Sequence, residues 1–159
     1  MGSRTGDIDP GILLYLMREK GLDAATLEDL IDRRSGLAGL SGISGDVRRL
    51  DDAANSEPQA RLALDMFEIS VAKQIAGMIV ALAGIDTLVF TGGIGENDVQ
   101  VRSGIVGRLA CFGLALEPIR NRSACNPLGA AHSRASVLVM QSREDDEIAR
   151  HTASLAYPA

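Results

Sequence analysis

The residues best suited to chemistry lie in a short glycine-rich segment that follows an apolar run. Residues 89–91, Val-Phe-Thr, lead directly into residues 92–97, Gly-Gly-Ile-Gly-Glu-Asn. Glycines let a backbone come close to a ligand, and a helix N-terminus favours an anion. The segment lacks the Gly-Lys-Ser/Thr of a Walker loop, and Asp98 stands where a dinucleotide fingerprint has its third glycine. From these residues alone, a phosphate-approach loop and a structural tight turn both remain open.

Four other charged residues, in three segments, stand in settings that suit an anion or a metal ion. Asp46 and Arg48 would project to one side of an extended segment, where the guanidinium could meet a phosphate or a ribose hydroxyl. Arg4 is flanked by small residues. Glu144 opens the acidic run 144–147 and could hold Mg²⁺ beside nucleotide phosphates. The ordinary alternatives are a surface ion pair, a solvated arginine, and acidic residues that complement a helix dipole.

Composition and charge exclude several classes of function. The chain has 159 residues, 46% hydrophobic and 23% charged, which suits one globular domain. A net charge of −5 has the wrong sign for a general nucleic-acid binder, and 3% aromatic residues give little surface for base stacking. The longest apolar run, residues 75–85, is too short to span a bilayer. We therefore expect a cytoplasmic protein without nucleic-acid or membrane partners.

The elements that would position these residues alternate between helix and strand. Cap residues and apolar spacing predict five helices. Their predicted limits are Asp9 to Gly21, Thr26 to about Arg34, Ser56 to Gly84, Asn97 to Leu109, and about Glu144 to Leu155. Apolar runs predict buried strands at 87–91 and 137–140, and a possible short one at 114–116. The stretches 35–46 and 117–134 are predicted as loops. This order favours a parallel α/β core, but so few strands indicate either undetected strands or part of a larger domain.

Several ordered motifs resemble the acetate kinase family, in the wider actin-like and sugar-kinase superfamily. Residues 1–11, MGSRTGDIDPG, are similar to that family's MGTRSGDIDPG, with Ser and Thr exchanged. Residues 35–48, SGLAGLSGISGDVR, are similar to its SGLLGLSGISxDxR stretch. Residues 90–97, FTGGIGEN, reproduce a third family motif in full. The resemblance extends from residue 1 to about residue 150, and ordered matches of this kind are highly specific.

The resemblance implies a role for each matching position. Arg4 would be catalytic, because the family's arginine here contacts the transferring phosphoryl group. Glu144 falls on the carboxylate associated with Mg²⁺ (or Mn²⁺) when Ile148-Ala149 is aligned with the family's Ile-Ala, although the surrounding match is looser. ATP and ADP would be co-substrates. The positions implied to bind the nucleotide are Asp46, Val47, Arg48, Gly93, Ile94, Gly95, Glu96 and Asn97.

The implied function is that of an ATP:acetate phosphotransferase, which converts acetate and ATP into acetyl phosphate and ADP, and family members form homodimers. The implied fold is an α/β, ribonuclease H-like (actin-like ATPase) domain, truncated and lacking its first antiparallel strands. Residues 1–143 would be part of a C-terminal nucleotide-binding domain, and 144–159 a helix that packs on an absent N-terminal domain. Because the family's catalytic histidine, second phosphate loop and acyl pocket have no counterpart here, we expect this fragment to be inactive alone.

Three alternatives stay open. The chain could be a non-catalytic remnant, or the partner subunit of a split kinase. It could derive from a propionate or butyrate kinase, because the acyl pocket that separates these activities is largely absent. A dinucleotide-binding module is a further hypothesis, although the missing third glycine and the lack of an early βαβ unit count against it.

Overall fold

The computed structural model describes residues 2–156, and the chain divides into two compact units, Met1–Ala81 and Leu82–Ala159. In the described residues the first unit is helical, whereas the second combines helices with a two-stranded parallel sheet. The expected α/β class with a parallel sheet is therefore confirmed. The division into 1–143 and 144–159 stays a prediction. Within residues 2–156, every helix is too short or too polar to cross a membrane.

The described helices of the first unit are α1 (Pro10–Lys20), α2 (Ala24–Arg33), α3 (Gly36–Ser41), α4 (Val47–Ala53) and α5 (Pro58–Ala81). The predicted ends of α1 are confirmed. Asp9 caps it by accepting a hydrogen bond from the Gly11 N–H at 2.7 Å, and Gly21 ends it with a φ of 66°.

Several predictions for this unit are wrong. Helix α2 begins earlier than expected, because Asp23 rather than Thr26 is its cap. The Ser56 hydroxyl donates to the Ala53 carbonyl instead of capping α5, so the predicted capping box does not form. The stretch 36–41 is a helix rather than a loop, because α3 packs against α5 with Leu37 buried, and this contact outweighs the poor helix propensity of glycine.

The core of the first unit lies where α3 and α4 meet α5. Small residues at Ala60 and Ala63 allow this close approach, and Leu50 and Leu64 fill the space beside them. The stripe predicted for α5 is only partly buried, since Met78 on that stripe is exposed. The buried apolar residues of the unit are Leu27, Leu37, Val47, Leu50, Ala60, Ala63, Leu64, Ala72 and Ile79.

The described elements of the second unit are β1 (Thr87–Phe90), α6 (Gly92–Asn97), α7 (Val99–Arg108), a 3₁₀ turn (Ala110–Phe112), α8 (Pro118–Ser123), β2 (Ser136–Val139) and α9 (Glu144–Ala156). The two predicted strands are confirmed and pair in parallel, with Thr87 opposite Ser136. The possible strand at 114–116 is reduced to one antiparallel bridge between Leu116 and Gly129. Residues 118–123 form a helix inside the predicted loop, because Glu117 caps it.

The two outer edges of this small sheet differ. On β2, the Leu128 N–H donates to the Val137 carbonyl at 2.7 Å. The Asn126 side chain pairs with both backbone groups of Val139, at 2.7 and 2.8 Å. On β1, the carbonyls of Asp86 and Phe90 accept from the N–H groups of Ser136 and Met140, so the alternation of a strand turns the Val89 backbone away from β2. In residues 2–156, the outer edge of β2 is covered and that of β1 is not.

Candidate functional site

The glycine segment after β1 folds into the short helix α6. Gly92 starts it with a φ of 73°, a conformation that strains any residue with a side chain. The Asn97 side chain donates to the Gly93 carbonyl at 2.8 Å, a hydrogen bond that links the end of the helix to its start. Asp98, not the predicted Asn97, caps the following helix α7 by accepting from the Val101 N–H at 2.9 Å. The expected sharp turn is therefore a turn of helix.

The glycines at positions 93 and 95 have different surroundings. A Cβ on Gly95 would contact the Phe90 backbone and side chain at 3.4 Å, so this glycine lets α6 pack closely on the end of β1. Apart from its chain neighbours and the backbone of its own helix, a Cβ on Gly93 would meet no described heavy atom within 4 Å. Packing within the chain therefore explains Gly95 but not Gly93, whose open face is available for the close approach of a ligand.

Glu96 connects α6 to the segment that leads into α9. Its Oε1 atom accepts hydrogen bonds from the Gly92 N–H at 2.9 Å and from the Ser142 N–H at 2.6 Å. A charged acceptor makes both bonds stronger than neutral ones. Glu96 therefore holds the glycine segment and the approach to Glu144 in one arrangement.

Glu144 is the first residue of α9, and its exposed side chain makes no hydrogen bond or ion pair with another described residue. Residues 141–146 line an open cavity of about 360 Å³ beside it. The described part of the chain contains no cluster of three or more His, Cys, Asp or Glu side chains that could hold a metal ion. Because Mg²⁺ commonly takes one or two carboxylates with waters and substrate phosphates, a single free carboxylate fits the protein's share of such a site.

Arg102 contacts the glycine segment from the buried side, and sequence reasoning missed it. Its side chain donates to the carbonyls of Gly95 and Glu96. Burial lowers the pKa of Arg102, while the nearby charge of Asp98 opposes that change. The available signal was its position in α7: Arg102 stands three residues before Ile105, at the spacing of the helix's apolar face.

In the first unit, the segment that carries Arg4 lies along the end of α2. The Thr5 N–H donates to the Ile31 carbonyl at 2.9 Å, and the Ser3 hydroxyl donates to the Asp32 carbonyl at 2.9 Å. The Arg4 Nε atom lies 3.8 Å from Asp32 Oδ1, and the arginine side chain is 75% exposed. An exposed ion pair at this distance is weak, so the guanidinium remains available to an anionic ligand.

The same unit brings the Arg4 segment against the segment of Asp46, Val47 and Arg48. A Cβ on Gly45 would lie 2.7 Å from the Gly2 carbonyl oxygen, so the two backbones meet where only glycine fits. Two predicted parts of the site that are far apart in sequence are therefore neighbours in the fold.

The expected extended conformation at 46–48 is wrong. Asp46 caps α4, and its Oδ1 accepts from the Arg48 N–H at 3.0 Å, because aspartate at this position satisfies a helix donor that has no other partner. The Val47 side chain is buried in the core, so only its backbone is available to a ligand. The Arg48 side chain is 91% exposed, and its Nε lies 3.9 Å from Asp46 Oδ1.

The chain belongs to the acetokinase family, whose model matches residues 1–150. The acetate kinase of Nitrobacter hamburgensis is 43% identical over 155 residues, a match covering 98% of this chain and 38% of that protein. The crystal structure of Porphyromonas gingivalis acetate kinase matches with a TM-score of 0.87 and 34% identity, covering 99% of this chain and 40% of the other. A propionate kinase from Francisella tularensis matches with a TM-score of 0.88 and 32% identity, covering 94% and 39%.

The chain thus spans about two-fifths of the length of the relatives it matches. The family resemblance seen in the motifs is confirmed. The two solved structures share the largely helical α/β architecture of this chain, with its small parallel sheet. The individual site residues stay predictions, now with the geometry described above.

Proposed function

We propose that this chain is the nucleotide-binding portion of an ATP:acetate phosphotransferase, with an actin-like ATPase (ribonuclease H-like) fold. The complete reaction would move a phosphoryl group between ATP and acetate, with ADP and acetyl phosphate as products. The observation that carries the proposal is the open face of Gly93 within an intact family motif, a glycine that packing in the described chain does not require.

The family resemblance implies residues that contact the nucleotide in each unit. In the second unit, residues 93–97 would lie against its adenosine side, with the backbone at Gly93 close enough for direct contact. In the first unit, the exposed guanidinium of Arg48 would offer hydrogen bonds to a phosphate or ribose, and the backbone of Val47 would lie beside it. Asp46 would act through the cap that fixes Arg48 at the start of α4.

Arg4 would stabilise the transferring phosphoryl group. Phosphoryl transfer depends mainly on positioning and on neutralising the charge of the transferred group. The weak and distant contact with Asp32 leaves the Arg4 guanidinium free to take that role, while the Thr5 and Ser3 hydrogen bonds fix the backbone on either side of it.

Mg²⁺ or Mn²⁺ would be held by Glu144, through water, when nucleotide is bound. The ion would supply neutralising charge at the nucleotide phosphates. The hydrogen bond from Ser142 to Glu96 would keep the Glu144 carboxylate near the glycine segment.

We propose that the chain alone does not make acetyl phosphate at a useful rate, because it spans only about two-fifths of the length of its relatives. Groups that act as one catalytic unit are strongly non-additive, so losing several removes most of the rate.

Two measurements test the function. Calorimetric titration with ATP, ADP and adenosine should show weak adenine-nucleotide binding, with adenosine contacts better retained than phosphate contacts. Trapping of acyl phosphate with hydroxylamine should show no turnover near the usual kinase range of about 1–100 s⁻¹.

Tight binding of NAD without binding of ATP would contradict this proposal and favour a dinucleotide-binding module. A propionate kinase is the second candidate, because one solved neighbour carries that name and matches as well as the acetate kinase does. Adding propionate or butyrate to the trapping assay with a complete enzyme separates these activities. A non-catalytic partner subunit would bind nucleotide and restore turnover only when mixed with the missing portion.

We also propose that α9 docks on a domain outside this chain, as the family resemblance implies. No residue of α9 is buried, and Ile148 and Leu155 are 63% and 84% exposed. Uncovered apolar side chains favour association, so the isolated chain should self-associate or require a partner that supplies the N-terminal portion. Light scattering after size exclusion, with and without a co-expressed N-terminal portion of a related acetate kinase, tests this. A stable monodisperse monomer that unfolds cooperatively when expressed alone would contradict it.

A further inference from the structure

The guanidinium of Arg102 holds the carboxyl end of α6 from the buried side. The Arg102 side chain is only 1% exposed. Its Nη1 atom donates to the Gly95 carbonyl at 2.9 Å and to the Glu96 carbonyl at 2.8 Å. Carbonyls in the last turn of a helix lack partners within the helix, and a cation there also complements the helix dipole. Arg102 therefore satisfies acceptors that α6 cannot satisfy itself.

The other side of the guanidinium is fixed by Asn121 at α8. Nε donates to Asn121 Oδ1 at 2.7 Å, and Nη2 donates to the Asn121 carbonyl at 2.8 Å. The Asn121 side chain in turn donates to the Val99 carbonyl and to the Ser103 hydroxyl of α7, at 3.0 and 2.8 Å. Among the described residues, none of the hydrogen-bond partners of Arg102 is a carboxylate. Its N–H donors are therefore satisfied by backbone and amide oxygens, with the charge of Asp98 nearby.

This arrangement is a costly way to obtain stability alone. Removing a charge from water carries a large desolvation cost, and a well-packed apolar side chain of similar volume often serves stability as well or better. A guanidinium instead fixes directions, because its planar fork offers donors on several sides at once. What it fixes here is the backbone of the glycine segment at Gly95 and Glu96.

A helix of six residues has little ability to hold its own position. Helix α6 is held at two points: the Glu96 carboxylate binds the Gly92 N–H at its start, and Arg102 binds the carbonyls near its end. The open face of Gly93 lies between these two points in the chain.

We propose that Arg102 is a positioning residue for the nucleotide site, setting the backbone of residues 93–97 to the geometry that the ligand requires. This inference rests on the proposed function, in which that segment binds an adenine nucleotide.

The test compares two substitutions of Arg102 with a matched control in the full chain. Arg102→Lys keeps the charge but cannot reach the α6 carbonyls and Asn121 together, and Arg102→Met removes the charge. Arg120→Lys is the control, because Arg120 also donates to a backbone carbonyl, that of Pro127, but is exposed and lies outside the network. Circular dichroism reports folding, and calorimetry with ADP reports affinity. Amide exchange at Asp98, whose N–H donates to the Ile94 carbonyl, reports the order of α6.

We expect Arg102→Lys to fold, to bind ADP at least about tenfold more weakly, and to exchange the Asp98 amide at least about tenfold faster, with Arg120→Lys unchanged. A folded Arg102→Lys variant with affinity and exchange within about twofold of wild type would overturn the proposal. So would failure of both Arg102 variants to fold, since the role would then be in the fold of the whole unit. If the wild-type chain binds no ADP, the proposed function fails, and Asp98 exchange alone decides whether Arg102 orders the segment.

Discussion

Replacing Gly93 by alanine tests whether the fold or a ligand requires a glycine at this position. The structure gives Gly93 helical backbone geometry with no positive φ, and an added Cβ would meet no described heavy atom within 4 Å beyond its chain neighbours and its own helix backbone. Gly93→Ala should therefore stabilise the chain, because alanine loses less backbone entropy on folding. We expect a gain of about 0.5 kcal/mol, the lower end of the range for helix interiors, because Gly93 lies in the first turn. For a chain of this size the melting temperature should rise by about 1–2 °C.

The same substitution should weaken adenine-nucleotide binding. A methyl group on the open face would occupy the space through which the ligand approaches the backbone, and we expect at least about a tenfold loss, equivalent to about 1.4 kcal/mol. Gly107→Ala is the matched control, since Gly107 is also an exposed helical glycine of the second unit with no described heavy atom near its Cβ position. It should raise stability without changing affinity.

Thermal melts and calorimetric titration with ADP measure both effects. If Gly93→Ala binds ADP as tightly as wild type, the open face of Gly93 is not a contact surface for the nucleotide. A loss of stability greater than about 1 kcal/mol would show instead that Gly93 is needed by the fold.

Three substitutions test the fold that positions the site. Gly45→Ala should destabilise the chain clearly, because its Cβ would lie 2.7 Å from the Gly2 carbonyl oxygen; denaturant unfolding with no shift in midpoint would contradict this. Leu50→Ala removes a fully buried side chain and should cost about 2–5 kcal/mol in the same assay, unless the cavity collapses. The hydrogen bond from Thr26 lowers the pKa of Asp23, so its stabilisation is present above about pH 4 and is lost as pH falls through the lowered pKa. Asp23→Ala should therefore destabilise the chain at pH 7 and have progressively less effect in melts below about pH 4.

Local signals predicted the elements whose ends are determined by neighbouring residues. The Asp9 cap and the Gly21 stop define α1, and the apolar run at 87–90 defines β1, because in each case the deciding residues are adjacent in sequence. The family motifs likewise located the candidate site, because each is a continuous stretch. Where two adjacent residues could both cap, as with Asn97 and Asp98, the prediction of Asn97 was wrong, because the pattern cannot distinguish two neighbouring cap residues.

Features that depend on distant contacts were not predictable in this way. Helix α3 exists because Leu37 packs on α5, although its glycines favour a loop. Asp46 could either cap a helix or lie in an extended segment, and contacts with the rest of the fold select the helix cap. The burial of Arg102 depends on Asn121, nineteen positions away, and charge alone would have placed this arginine on the surface.

The unequal edges of the two-stranded sheet limit how copies of this chain could polymerise. A sheet with two open edges can add strands on both sides without end, as in fibres. Here the Asn126 side chain occupies the outer edge of β2, while the backbone of Val89 on β1 faces away from the sheet. Two copies that joined through β1 would pair symmetrically, and both outer edges of the resulting four-stranded sheet would then be covered by Asn126. Strand addition would stop at a dimer, so a larger assembly would not grow through this sheet.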